Sequence, residues 1–101
     1  MEDTQEIKDE KKSITVQVYG HVQGVFFRDW TTTKAADLNI MGWVRNRVDH
    51  RVELHLEGLI EDVDFMVRLL KRGNPKSQVE GIMVDEAPFI DFKSFEIKDT
   101  V

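Results

Sequence analysis

The sequence predicts an α+β chain folded as a two-layer α/β sandwich, with its helices on one face of a sheet. Three observations predict it. Apolar and polar residues alternate in several short segments, the period-two pattern of strands with one buried face. Two other segments carry apolar residues at helical spacing. The order along the chain is strand, helix, strand, strand, helix, strand, with a short strand at the end. A helix lying between strands must cover a sheet face, and a polar opposite face places both helices on the same side.

Composition bounds the rest. A chain of 101 residues with 41% hydrophobic content supports one core and leaves no room for a second. Its net charge of −5 argues against nucleic-acid binding by phosphate neutralisation, which needs a basic face. With no cysteine, disulfides, thiolate nucleophiles and sulfur-ligated metals are out of consideration. No apolar run approaches the roughly 18 residues of a membrane span, and the opening MEDTQEIKDEKK lacks the apolar stretch of a signal peptide. A soluble cytoplasmic protein without a nucleic-acid or membrane partner is expected.

Residues 1–12 contain eight charged side chains and are expected to form a flexible charged tail, because so little apolar surface cannot offset the entropy of ordering them. The domain is expected over residues 13–101. Ile14, Val16 and Val18 alternate with Thr15, Gln17 and Tyr19 in a first strand that ends at Gly20. A helix follows from Phe27, with Phe27, Thr31, Ala35 and Leu38 on its buried side and Asp29, Lys34 and Asp37 opposite. The β-branched run Thr31-Thr32-Thr33 lowers intrinsic helicity, so packing must supply stability there. Asn39 stands where a helix ends in a left-handed residue.

Gly42 to Asn46 reads as the second strand, and Arg51 to Glu57 as the third. Val52, Leu54 and Leu56 face the core there, while Arg51, Glu53, His55 and Glu57 face out. Val48-Asp49-His50 forms the hairpin turn between them. A second helix from about Glu61 to Arg72 buries Val63, Met66, Val67 and Leu70 and is stopped by Gly73 and Pro75. Val79 to Val84 is the fourth strand and Phe92 to Ile97 the last, beyond the turn at Pro88. The result is a split-βαβ, ferredoxin-like βαββαβ sandwich with a short extra C-terminal strand.

The stretch most suggestive of chemistry is the strand-to-helix junction Val18 to Arg28, which carries Gly20, Gly24 and Arg28. Free N–H groups at a helix N-terminus, the helix dipole and closely approachable glycine backbone together form an anion-binding layout. Arg28 adds a permanently charged fork suited to phosphate or carboxylate. The junction is neither a Walker loop, for no Lys-Ser or Lys-Thr follows Gly24, nor a dinucleotide fingerprint, which needs a third glycine. On pattern alone such a turn also serves as a plain tight connection.

Other chemistries find less support. His21, His50 and His55 show no metal-ligand spacing and read as solvated surface residues, as do the carboxylates. Asp29, although next to Arg28, is expected to turn away along the helix. Ser13, Ser77 and Ser94 have no recognisable His and Asp partners. Met41, Met66 and Met83 read as core filler. Asn46, closing the second strand, reads by itself as a turn residue.

Taken together, two segments point further. Gly20-His21-Val22-Gln23-Gly24-Val25-Phe26-Phe27-Arg28 resembles the first signature of the acylphosphatase family, and Gly42-Trp43-Val44-Arg45-Asn46, followed by Val52 and Gly58, resembles the second. The similarity extends from about Ile14 to Ile97. It implies a ferredoxin-like fold, as the residue pattern does independently. It also implies hydrolysis of the carboxyl-phosphate bond of small acyl phosphates to a carboxylate and inorganic phosphate, without metal or cofactor. By that resemblance Arg28 binds phosphate, Asn46 positions the attacking water, and the loop Gln23, Gly24, Val25, Phe26 and Phe27 offers backbone donors to the phosphoryl oxygens. A monomer is expected, with an acyl phosphate as substrate and inorganic phosphate as product and inhibitor. The sequence departs from the family pattern at His50, where a glycine is usual.

Two other functions remain compatible with such a sandwich: a non-catalytic anion-binding module, and RNA binding on the open sheet face, which the net charge disfavours.

Overall fold

The computed structural model describes residues 10–101. Its elements are β1 (Lys11–His21), α1 (Phe27–Asp37), β2 (Met41–Asn46), β3 (Val52–Leu59), α2 (Ile60–Arg72), β4 (Gln78–Glu86) and β5 (Phe95–Ile97). Of the expected tail, Lys11 and Lys12 already belong to β1, where they pair with Leu59 and Gly58, and residues 1–9 lie outside the described residues. The five strands form one sheet in the order β4-β1-β3-β2-β5. All pairings are antiparallel except that of β2 with β5. The architecture is the expected ferredoxin-like sandwich with an added terminal strand.

The core lies between the helices and one sheet face. Ile14, Val16, Val18, Val44, Val52, Leu54 and Leu56 project from the strands and meet Phe27 and Ala35 of α1 and Val63, Met66 and Leu70 of α2. Thr31 is fully buried at the helical position the spacing assigned to it. Asn39 takes φ 55° after α1, as expected for a residue that ends a helix in the left-handed region. Met66 is core, whereas Met83 is exposed on the edge strand β4, where the Tyr19 hydroxyl donates to its sulfur.

The opposite face corrects the sequence reading. His55 and Glu57 are not solvated: each is only 6% exposed. The chain between β4 and β5 crosses over them, and the Glu57 carboxylate accepts the backbone N–H groups of Ile90, Asp91 and Phe92. The Ser13 hydroxyl and the His55 ring pack beside it, and Phe92 sits edge-on to His55. Residues Ile90 to Phe92 are thereby committed to Glu57, and β5 starts at Phe95 rather than at Phe92.

Burial pushes the Glu57 carboxyl up, but the three N–H donors and His55 outweigh it and hold the group below the ordinary glutamate value. A carboxylate with a depressed folded-state pKa contributes stability above its unfolded pKa and loses it as pH falls through the folded one. Glu57→Gln is therefore expected to lower stability at neutral pH by about 2–3 kcal/mol. It should also flatten the acid limb of a plot of melting temperature against pH below the ordinary glutamate range. Thermal melts of both chains between neutral and acid pH check this.

Candidate active site

β1 and β2 flank β3, with Val18 and Asn46 both paired to Val52, so the C-terminal ends of β1 and β2 meet at the same end of the sheet. This topology brings together two motifs that lie far apart in sequence. The pairing of β1 with β4 shifts between Tyr19 and Gly20, and Gly20 has φ +123°. A side chain there would collide with the backbone carbonyl of Gln78, so the close approach of the two strands requires glycine. Beyond this bulge the chain turns through Gly24, at φ +74°, and Phe26, at φ 61°, into α1.

Phe26 caps α1 in a left-handed conformation without any side-chain hydrogen bond to the first turn. Among the described residues, no acceptor is present for the backbone N–H groups from Gly24 to Asp29. These donors edge a cleft of about 350 Å³ lined by Val22, Gln23, Gly24, Phe26, Phe27, Arg28, Asp29, Asn46 and Ile97. Arg28 is half-buried, and its guanidinium forms no ion pair among the described residues. The α1 N-terminus, its unpaired amides and the Arg28 guanidinium, without an ion-pair partner among the described residues, all favour an anion in the cleft. Asp29 lines it too, contrary to the expectation that the helix would turn it elsewhere, because its place in the first turn keeps it at the mouth.

Asn46 reaches the same cleft from β2, and its Oδ1 is buried without a hydrogen-bond partner. A buried amide oxygen left unpaired is unfavourable by about 1–3 kcal/mol. Gln23 does more than lend its backbone. Its Nε2 donates to the carbonyls of Arg47 at 2.9 Å and Arg51 at 2.8 Å, tying the loop to the hairpin that carries Asn46.

That hairpin contains His50 at φ 80°, the left-handed conformation for which glycine is usual. His50→Gly is expected to relieve roughly 0.5–1 kcal/mol of strain and raise the melting temperature by a few degrees, measurable by calorimetry. A polar residue outside the cleft supports its loop, and no sequence signal marks it. Asn74, after α2, donates from Nδ2 to the carbonyl of Val25 at 2.8 Å. Placed between Gly73 and Pro75, it carries no local signal beyond that of a helix stop.

A model of the acylphosphatase family matches residues 14–97. The chain belongs to the acylphosphatase family. It is 43% identical over 86 residues to an acylphosphatase of Rhizorhabdus wittichii, covering 85% of this chain and 87% of that protein. It is 49% identical over 77 residues to one of Rubrobacter xylanophilus, covering 76% and 70% respectively. The structure of an acylphosphatase from Coxiella burnetii superposes with a TM-score of 0.84 at 33% identity, covering 87% of this chain and 93% of that one. Acylphosphatase-type hydrolysis of acyl phosphates is the activity that membership supports. Of the residues singled out from the two signatures, Gln23, Gly24, Phe26, Phe27, Arg28 and Asn46 line the cleft, whereas the Val25 side chain turns into the core; seven of the lining residues come from the segment 22–29.

Proposed function

We propose that the chain hydrolyses small acyl phosphates in this cleft, with Arg28 and the amides of the Gln23 to Phe27 loop binding the phosphoryl group and Asn46 holding the attacking water. The observation that carries the proposal is the meeting, in one cleft, of the Asn46 side chain with a guanidinium and backbone donors that have no partner among the described residues. Arg28 offers two parallel N–H groups to phosphoryl oxygens, and the amides at the α1 N-terminus suit the remainder. The side-chain amide of Asn46 would hydrogen-bond the water and turn its lone pair toward phosphorus.

Water attacks phosphorus as the bond to the acyl oxygen breaks, and the bonding electrons leave with the carboxylate. The proton lost by water ends on the phosphate or in solvent. Because a carboxylate is a weakly basic leaving group, the site needs positioning and charge stabilisation more than a general base or a nucleophilic side chain. This accounts for a cleft lined by no histidine and no serine.

Hydrolysis of benzoyl phosphate, assayed by loss of its ultraviolet absorbance, tests the proposal. Turnover should persist in excess chelator and be inhibited competitively by inorganic phosphate. An active chain on which phosphate does not compete would contradict the assignment of the cleft, and one inactivated by chelator would contradict a purely organic site.

A further inference from the structure

We infer that Asn74 is a positioning residue of the reaction, a tether that aims the Phe26 amide into the phosphate cleft; the inference rests on the cleft's assignment above. Asn74 is 8% exposed, and its Nδ2 donates to the Val25 carbonyl across 49 positions of sequence at 2.8 Å. The acceptor fixes the orientation of the side-chain amide, because a carbonyl can face only its NH₂ end. Asn74 is itself held: its carbonyl accepts both the N–H and the hydroxyl of Ser77, at 3.1 Å and 3.0 Å.

The Val25–Phe26 peptide is trans. In a trans peptide C=O and N–H point in opposite directions. A Val25 carbonyl drawn toward Asn74 therefore turns the Phe26 N–H to the other side of the loop, where Phe26 borders the cleft. Phe26 pays for this with φ 61° and ψ 28°, a left-handed conformation that a bulky residue adopts only under constraint. Rotation of the peptide would relieve that conformation and withdraw the donor. Among the described residues, Asn74 makes the one side-chain hydrogen bond to the loop backbone that opposes such a rotation.

The test is a double-mutant cycle on the full chain between Asn74→Ala and Phe26→Gly, read by hydrolysis of benzoyl phosphate, inhibition by inorganic phosphate and melting temperature. Asn74→Ala should lower kcat/KM roughly 10- to 100-fold and weaken phosphate inhibition. Phe26→Gly accepts the left-handed conformation without strain, so, whatever its own effect on activity, Asn74→Ala should cost much less in the Phe26→Gly background than in the parent chain. Replacing a residue that only stabilises the fold would lower the melting temperature, leave phosphate inhibition unchanged and cost the same in both backgrounds. That pattern would overturn the inference. Asn74→Ser, which keeps a small polar group in the turn, replaces Asn74→Ala if the alanine chain does not fold. A parent chain inert toward acyl phosphate would refute the assigned function instead, whereas an active parent with an indifferent Asn74 would refute only the tether.

Discussion

Arg28→Ala is expected to lower kcat/KM for an acyl phosphate by about 100- to 1,000-fold, with little change in melting temperature. The magnitude follows from the loss of a charged, two-pronged donor aimed at oxygens on which negative charge sits in the transition state, about 3–4 kcal/mol. Stability should hardly move, because the guanidinium makes no ion pair among the described residues and none of the core depends on it. Inorganic phosphate should also lose potency as an inhibitor, since it uses the same fork. Arg28→Lys keeps the charge but not the planar pair of donors, and should recover only part of the activity. Steady-state kinetics with all three chains checks these expectations. An Arg28→Ala chain with near-parental turnover and unchanged phosphate inhibition would place the phosphate elsewhere.

Asn46→Ala should divide the kinetic constants differently. Because its side-chain amide orients water and does not grip the phosphoryl group, kcat should fall roughly 100-fold while the inhibition constant of phosphate changes by no more than about threefold. The substitution also removes a buried, unpaired acceptor, so the free chain should be as stable as the parent or slightly more so. Kinetics and a thermal melt of the same preparation measure both. Loss of phosphate binding with turnover intact would make Asn46 a binding residue.

Periodicity made most of the fold legible. Alternation assigned Ile14, Val16 and Val18 to the inner face, helical spacing assigned Thr31 and Ala35 to the buried side of α1, and Asn39 marked the end of that helix. What periodicity cannot express is whether the face turned away from the helices stays open. His55 and Glu57 alternate as solvated residues do, yet the chain from Ile90 to Phe92 folds back onto them, held by a carboxylate far away in sequence. That contact is non-local and has no signature at either end.

The site shows the same division. Gly24, Arg28 and the helix start were visible locally, and the two signatures resembled those of a family. The nearness of Asn46 to the loop depends on two strands sharing β3, and the clamp from Gln23 to the hairpin carbonyls depends on the turn that nearness creates. Asn74 was illegible because its partner is a backbone carbonyl, a group every residue possesses.

The central claim is that the cleft holds the phosphoryl group and delivers water to phosphorus, not to the acyl carbon. Hydrolysis of an acyl phosphate in ¹⁸O-enriched water, followed by mass spectrometry of both products, tests it most directly. One labelled oxygen should appear in inorganic phosphate and none in the carboxylate. Label in the carboxylate would mean attack at the acyl carbon and would contradict the roles given to Arg28, the loop and Asn46.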